Sequence, residues 1–475
     1  MVGRSTKPHH HHFSTFRIQK KRPELRIIIS SATIDADAFL NFFASDEKDS
    51  AAIMSLEGRT FPVEVAYLGQ ACADYVQAAV EAVWKIQFNE PAGDILVFLT
   101  GREEIDRCLQ LLADRQIDLP PGSLRLALLP LHAGLSVEEQ SQIFEPAPRG
   151  TRKCIVATNI AEASVTIDGI RFVVDCGFVK MRLYNPITGM DALSVFPISK
   201  ASATQRAGRA GRTSAGKCLR LYTEKAFQSL ASTTSSEMAR SDLSTHILQL
   251  KALGIDNLVK FDYLPPAPPS ALLARGVEFL VSVGALDEWG RLTKPVGEQM
   301  AEMPLDPKMA KVVLESISFR CTQEVLSIAA MTSIATPFII PDEGRSTAGA
   351  QGELERRKFT AEEGDHLTLL NLYNAFVNPR VGRQSSKWCS QHKVNFRALS
   401  RAVNIRSQLE RSLSRYGIKN GGESCQGDSA RLRRCLTTGY FGFAAKMRAD
   451  GSYQSVRENA VSERKVEKKH IDKQD

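Results

Sequence analysis

Between residues 94 and 223 short apolar runs recur with amphipathic stretches between them: "DILVFL" (94–99), "LRLALLPL" (124–131), "KCIVAT" (153–158), "IRFVVDCG" (170–177) and "KCLRLYT" (217–223). Runs of this length, rich in β-branched residues, read as strands buried on both faces. The stretches 72–88, 102–114 and 136–144 carry helical spacing. Such alternation predicts a parallel α/β sheet, whose ligands meet the loops beyond the carboxyl ends of the strands. The loops after "ILVFL", "CIVAT" and "FVVD" are therefore the first places to seek a site. Upstream, "ELRIIISSAT" (24–33) reads as one more buried strand, with a short helix after it at "DADAFLNFF".

From about 226 the strand signal fades. "STHILQLKALGI" and "ALLARGVEFLVSVGAL" have helical spacing and are joined by a rigid "LPPAPPS" linker. "PLDPKMAKVVLESISF", "TQEVLSIAAMT" and "GDHLTLLNLYNAF" extend the helical regime to about 376. Residues 341–355 read as a flexible loop and 457–475 as a disordered tail.

Composition narrows the class. A chain of 475 residues is long enough for three or four domains, and 43% apolar with 24% charged residues is ordinary for a folded protein with sizeable cores. No apolar run reaches the length of a membrane span, and "MVGRSTKPHHHHFSTF" is polar where an export signal needs an apolar run. Nine cysteines without a Cys-x-x-Cys read as reduced thiols of cytosol or nucleus rather than a zinc module or disulfide framework. The four histidines at 9–12 read as a polar terminus, with a metal role the alternative. No set of ligands for a resident metal is otherwise visible. The formal charge of +8 permits nucleic-acid binding, and residues 379–419 set ten Lys/Arg against a single Glu. That run is either a solvated helix face or a nucleic-acid contact, and the imbalance favours contact.

The most concentrated chemistry is "QRAGRAGRTSAGK" (205–217). Gly211 to Lys217 spells Gly-x-x-x-x-Gly-Lys, yet a phosphate-cradling loop follows a strand, opens a helix and ends in Ser or Thr. Here Cys218 follows the lysine, and the order of elements is reversed. The pattern reads as an imitation. "QRAGRAGR" is different: Arg206, Arg209 and Arg212 recur every three residues, which on a helix start predicts one common edge. Arginines converging on a phosphoryl group stabilise charge developing in transfer.

"QRAGRAGR" is similar to motif VI of superfamily 2 helicases in the spelling of the DEAH-box RNA helicases. "SAT" (31–33) resembles motif III, "VFLTGREEI" (97–105) motif IV, "ATNIAEASVTIDGI" (157–170) motif V, and "IFEPAP" (143–148) the segment bearing the adenine-stacking aromatic. "LQLKALGIDN", "VLSIAAM", "EEGDHLTLLNLY" and "SKWC" also resemble the family, from about Ile18 to about Val456. The resemblance implies that Gln205, Arg209 and Arg212 meet the ATP phosphates and attacking water. It places Thr166 and Asp168 at the ribose and Phe144 on adenine, where a core aromatic is the alternative for Phe144. Thr100, Gly101, Arg102 and Thr158 would lie along the RNA backbone, gripping phosphate through hydroxyls and peptide N–H groups; for Thr158 a strand cap is the alternative. Ser31 and Thr33 would couple nucleotide state to RNA grip, and Arg397 and Arg401 in the basic run would add RNA contacts. Ala163 stands where the family has Thr and Arg102 where it often has Gln.

The implied architecture is a RecA-like α/β domain followed by helical domains and part of a β OB-fold. By residues it runs as a non-family disordered terminus (1–17), a remnant of RecA-like domain 1 (18–48), RecA-like domain 2 (49–225), a winged helix (226–292), a ratchet-like helical bundle (293–410), a partial OB-fold (411–456) and the tail (457–475). The implied activity is ATP hydrolysis, with Mg²⁺, driving RNA remodelling in pre-mRNA splicing. Partners would be single-stranded RNA, spliceosomal proteins or a G-patch-type activator, with a monomer in the nucleus, or also the cytoplasm, and no membrane. The sequence holds neither Gly-x-x-x-x-Gly-Lys-Ser/Thr nor Asp-Glu-x-His. It is therefore expected to be a truncated helicase, weak or inactive alone, or a non-catalytic RNA- or protein-binding fragment.

Overall fold

The six strands of the main sheet interleave rather than follow the chain. In the computed structural model they are β1 (Val63–Tyr67), β2 (Asp94–Phe98), β3 (Arg125–Leu131), β4 (Thr151–Ala157), β5 (Ile170–Asp175) and, after a two-stranded sheet of β6 (Phe178–Asn185) and β7 (Met190–Pro197), β8 (Gly216–Arg220). Their order is β1-β8-β5-β2-β4-β3 and every pairing is parallel, as the repeating apolar runs predict. The structure describes residues 22, 24–29, 36–43, 51–54, 61–117, 119, 124–135, 137–163, 165–339, 347–381, 383–418, 422–449 and 453–455. The chain divides into two compact units, one of residues 1–185, 191–241 and 263–267, the other of 186–190, 242–262 and 268–475.

Successive side chains of a strand leave opposite faces of a sheet, and β2 divides accordingly. Ile95 and Val97 enter one core with Val76, Val83, Ile105 and Leu112 from the helices Tyr75–Asn89 and Arg102–Gln116. Leu96 and Phe98 enter the other, with Ile143, Ile167, Ala207 and Ala210. The helix Tyr75–Asn89 starts on Asp74, whose carboxylate accepts the N–H groups of Val76 and Gln77. It ends on buried Arg152 of β4, which donates to the carbonyls of Ile86 (2.8 Å), Glu90 (3.1 Å) and Pro91 (2.6 Å). These bonds satisfy carbonyls that a helix end leaves without partners.

The second unit is helical. Its helices include Ser244–Ala252, Ser270–Ser282, Pro307–Glu315, Thr322–Thr332, Asp365–Val377, Phe396–Arg415 and Ser429–Tyr440. One core gathers Met331, Phe359, Leu372, Phe376, Trp388 and Leu399. Asp306 caps Pro307–Glu315 with Pro at the first position, where its missing N–H costs nothing.

Three expectations change. Residues 25–29 of the upstream run form no strand, and Ile28 is 91% exposed. A strand needs a neighbour for its backbone groups, and no described strand lies beside this one. Thr347–Arg357, which overlaps the expected loop 341–355, is a helix in which Ala, Gln, Glu, Leu and Arg outweigh Gly349 and Gly352. Within 411–456 lies the helix Ser429–Tyr440, whose Leu432, Cys435, Leu436 and Gly439 bury one helical stripe. Among the described residues of this stretch β9 (Ala445–Met447) and β10 (Tyr453–Ser455) are the strands that pair, antiparallel, and an OB-fold is not established. Among the described residues no helix is long and apolar enough to cross a membrane.

Candidate nucleotide face and nucleic-acid edge

Three separate segments converge on one face of the main sheet. Ile143, Ile167, Ala207 and Ala210 share a single buried cluster with Leu96, Phe98 and Val173. Ile143 precedes Phe144, Ile167 lies between Thr166 and Asp168, and the two alanines flank Gly208 and Arg209. The apolar anchors thus bring together the expected adenine, ribose and phosphate residues.

Phe144 ends a 3-10 turn, Gln142–Phe144, and is 58% exposed. It is no core aromatic. Its turn is held from below by buried Lys153 of β4, whose Nζ donates to the carbonyls of Ile143 (3.1 Å) and Glu145 (3.0 Å) and stands 3.6 Å from Asp94. A rigid exposed ring is what stacking on a base requires. Thr166 and Asp168 are both exposed.

The arginines of "QRAGRAGR" do not share one edge. The helix Lys200–Gly208 tightens into a 3-10 turn at Arg209–Gly211, and Arg206 is 0% exposed. Its Nε donates to Glu162 (3.0 Å), Nη1 to Asp175 (2.8 Å) and Nη2 to the Phe178 carbonyl (3.1 Å), with the guanidinium 4.9 Å from the centre of the Phe98 ring. Burial alone would lower its pKa; the Asp175 and Glu162 carboxylates reverse that and raise it. Glu162 also accepts the Ser202 hydroxyl. Arg209 is half-buried and donates to the carbonyls of Val165 (3.2 Å) and Glu162, tying it to the loop that leads to Thr166. Arg212, half-buried, makes no ion pair with any described residue. Gln205 is half-buried on the same helix.

The imitation loop is confirmed as packing. A Cβ on Gly211 would lie 2.6 Å from the Phe61 carbonyl, and one on Gly216 2.3 Å from that of Ala210. Both glycines let the chain press against the sheet edge. Lys217, the second residue of β8, pairs with Glu90 at 2.7 Å and Glu64 at 3.5 Å.

At the carboxyl ends of β2, β3 and β4 stand Thr100, His132 and Thr158. Thr100 is buried; its N–H donates to Glu104 Oε2 (3.0 Å), and Glu104 also accepts the Tyr75 hydroxyl. The Thr158 N–H donates to the Leu131 carbonyl (3.0 Å). Neither peptide N–H is open to a phosphate, contrary to expectation, because the edge strands and helix cap already use them. The Thr158 hydroxyl makes no hydrogen bond with a described residue. Gly101 caps Arg102–Gln116 without a side-chain bond, and Arg102 pairs with Asp106 at 3.3 Å. In the second unit Arg397 and Arg401 are exposed on one face of Phe396–Arg415, one turn apart. Ser31 and Thr33 lie outside the described residues.

The sequence does not mark buried Arg206 and Lys153 and half-buried Glu162 as the frame of this face. Of the three, only the charge inside an apolar strand at Lys153 carried a signal.

A helicase conserved C-terminal domain matches residues 77–214. Two helicase associated domains follow, a winged helix at 276–305 and a ratchet-like domain at 306–369. The chain is 46% identical over 450 residues to the human "Probable ATP-dependent RNA helicase DHX35", covering 93% of this chain and 63% of that protein. It is 43% identical to the "Pre-mRNA-splicing factor ATP-dependent RNA helicase prp22" of Schizosaccharomyces pombe, covering 93% of this chain and 36% of the relative. The crystal structure of the E. coli DExH-box NTPase HrpB superposes with a TM-score of 0.71 at 29% identity, over 94% of this chain and 47% of that one. The chain thus spans less than two thirds of the curated relatives it matches.

Proposed function

Because the chain belongs to the DEAH-box RNA helicase family, we propose that it supplies one wall of an ATP site and part of an RNA path in an RNA-remodelling motor. The observation that carries this reading is the shared cluster beneath Phe144, Thr166, Asp168 and Arg209. The residues suit a nucleotide: an exposed ring for the base, a hydroxyl and a carboxylate for the ribose, and guanidiniums for the phosphates. ATP, when bound, supplies the phosphoanhydride whose cleavage drives remodelling.

In this reading Phe144 stacks on adenine, Thr166 and Asp168 orient the ribose, and Arg212 holds negative charge on the phosphates. Arg209 joins it by leaving the carbonyls it now holds, and Gln205 orients the attacking water. Among the described residues no group of three or more His, Cys, Asp or Glu could hold a metal, so no step is assigned to Mg²⁺. RNA is gripped by its backbone at Gly101, Arg102, Thr158, Arg397 and Arg401, with Thr100 shaping the edge and Ser31 and Thr33 coupling it to the nucleotide. The domain limits given above, a splicing role, nuclear residence and a G-patch-type or spliceosomal partner belong to the same proposal.

With no phosphate-cradling loop in this sequence, the chain alone binds single-stranded RNA and turns over ATP weakly or not at all. ATP turnover of the purified chain, with and without oligo(U), tests this together with RNA affinity. Salt-sensitive RNA binding without turnover is expected. Brisk RNA-stimulated hydrolysis overturns the division of labour, and absence of RNA binding overturns the RNA path.

A further inference from the structure

Phe178 and Lys180 lie two apart on β6 and therefore on one face of it. Phe178 stacks on Tyr75, with ring centres 5.4 Å apart and planes at 29°. Tyr75 in turn donates to Glu104, in the first turn of the helix that begins at Arg102. The base of β6 is fixed from the other side at Gly177, whose φ is +80° and where a Cβ would lie 2.5 Å from the Tyr222 ring, leaving no room for a side chain. These contacts carry Lys180 to the end of β2. Its Cδ and Nζ stand 3.6 and 3.7 Å from where a Cβ on Gly101 would be.

Lys180 is exposed and pairs with no described carboxylate. Glu104 uses both oxygens on Tyr75 and on the Thr100 N–H, and Asp106 is engaged by Arg102. An un-neutralised ammonium is thus held against a residue without a side chain, at the edge assigned above to the RNA backbone. Gly101 has an extended φ of −161° that any residue adopts, so its value there is open space rather than conformation.

We propose that Lys180 is a phosphate-contacting residue of the RNA path, meeting the ribose-phosphate backbone where it crosses Gly101 and reading no sequence. The assignment rests on the RNA-binding reading above. A lysine is suited to the task as a compact point charge that needs no bidentate geometry.

The test is fluorescence anisotropy of labelled oligo(U) against the full chain over a range of salt concentrations. Lys180→Ala should weaken binding about fivefold and lower the slope of log K against log salt by about 0.7, the value of one phosphate on a single strand. Lys180→Arg should restore both, oligo(A) should show the same loss, and Lys217→Ala, which removes a lysine outside the path, should bind as wild type does. The melting temperature of Lys180→Ala should match the parent, since the side chain is exposed. Unchanged affinity and slope in Lys180→Ala, while the parent binds with a clear slope, overturns the assignment alone. An equal loss in Lys217→Ala also overturns it, by showing only net charge. A parent that binds no RNA overturns the RNA reading and this assignment with it.

Discussion

Arg206 Nη1 lies 2.8 Å from Asp175 Oδ1, and both side chains are completely buried. This pair joins the helix Lys200–Gly208 to the end of β5, and through Glu162 it joins both to the motif V segment. Breaking one side of a buried pair leaves a charge without its partner, at a cost of about 3–5 kcal/mol. Arg206→Ala should therefore lower the unfolding midpoint of the first unit strongly, and Arg206→Lys should recover part of the loss. Urea titration followed by intrinsic fluorescence measures both.

Phe144 should behave in the opposite way. With 58% of its surface exposed, Phe144→Ala should leave stability nearly unchanged while lowering affinity for adenine nucleotides by about 1–3 kcal/mol, the worth of one stacked base. Competition between ATP and GTP for binding should narrow accordingly.

Lys153→Met should impair nucleotide binding without touching the nucleotide. The ammonium fixes the carbonyls on both sides of Phe144, so its loss frees the turn. A fall in affinity resembling that of Phe144→Ala, not further lowered in the double variant, identifies Lys153 as a positioning residue.

Much of the first unit was legible because β2, β3, β4, β5 and β8 are apolar runs, and β2, β4 and β5 are buried on both faces; β1, whose VEVAY carries a glutamate and is partly exposed, was not. The two-stranded sheet β6–β7 was not, since its residues are largely exposed and show no apolar run. The motif residues could be ranked by family resemblance. That Arg206 points inward while Arg212 does not depends on the change from α to 3-10 winding at Arg209, which three-residue spacing cannot reveal. The missing strand at 25–29 has the same lesson: apolar pattern sets a preference, and pairing partners decide whether it is realised.

The edge beside the proposed RNA path should be sensitive to acid. His132 is buried, and burial first and the nearby Arg102 second hold its pKa below the ordinary value near 6.5. Its Nδ1 accepts the Gly134 N–H at 3.2 Å, which needs the neutral ring. Above pH about 6.5 both folded and unfolded chains are neutral there, and the stability is intact. As pH falls below that value the unfolded chain takes the proton first, so stability declines until the folded pKa is passed. His132→Gln should flatten this part of the stability profile between pH 7 and 5, measured by thermal melts.

The central claim is that nucleotide meets this chain on the face of Phe144, Thr166 and Arg212, and not at Gly211–Lys217. Photolabelling the chain with 8-azido-ATP and mapping the modified peptides tests it most directly. Label in the segments 137–153 and 160–169, suppressed by excess ATP and reduced in Arg212→Ala, is the predicted result. ATP-protected label on the segment around Lys217, lost in Lys217→Ala and indifferent to Phe144→Ala, would contradict it.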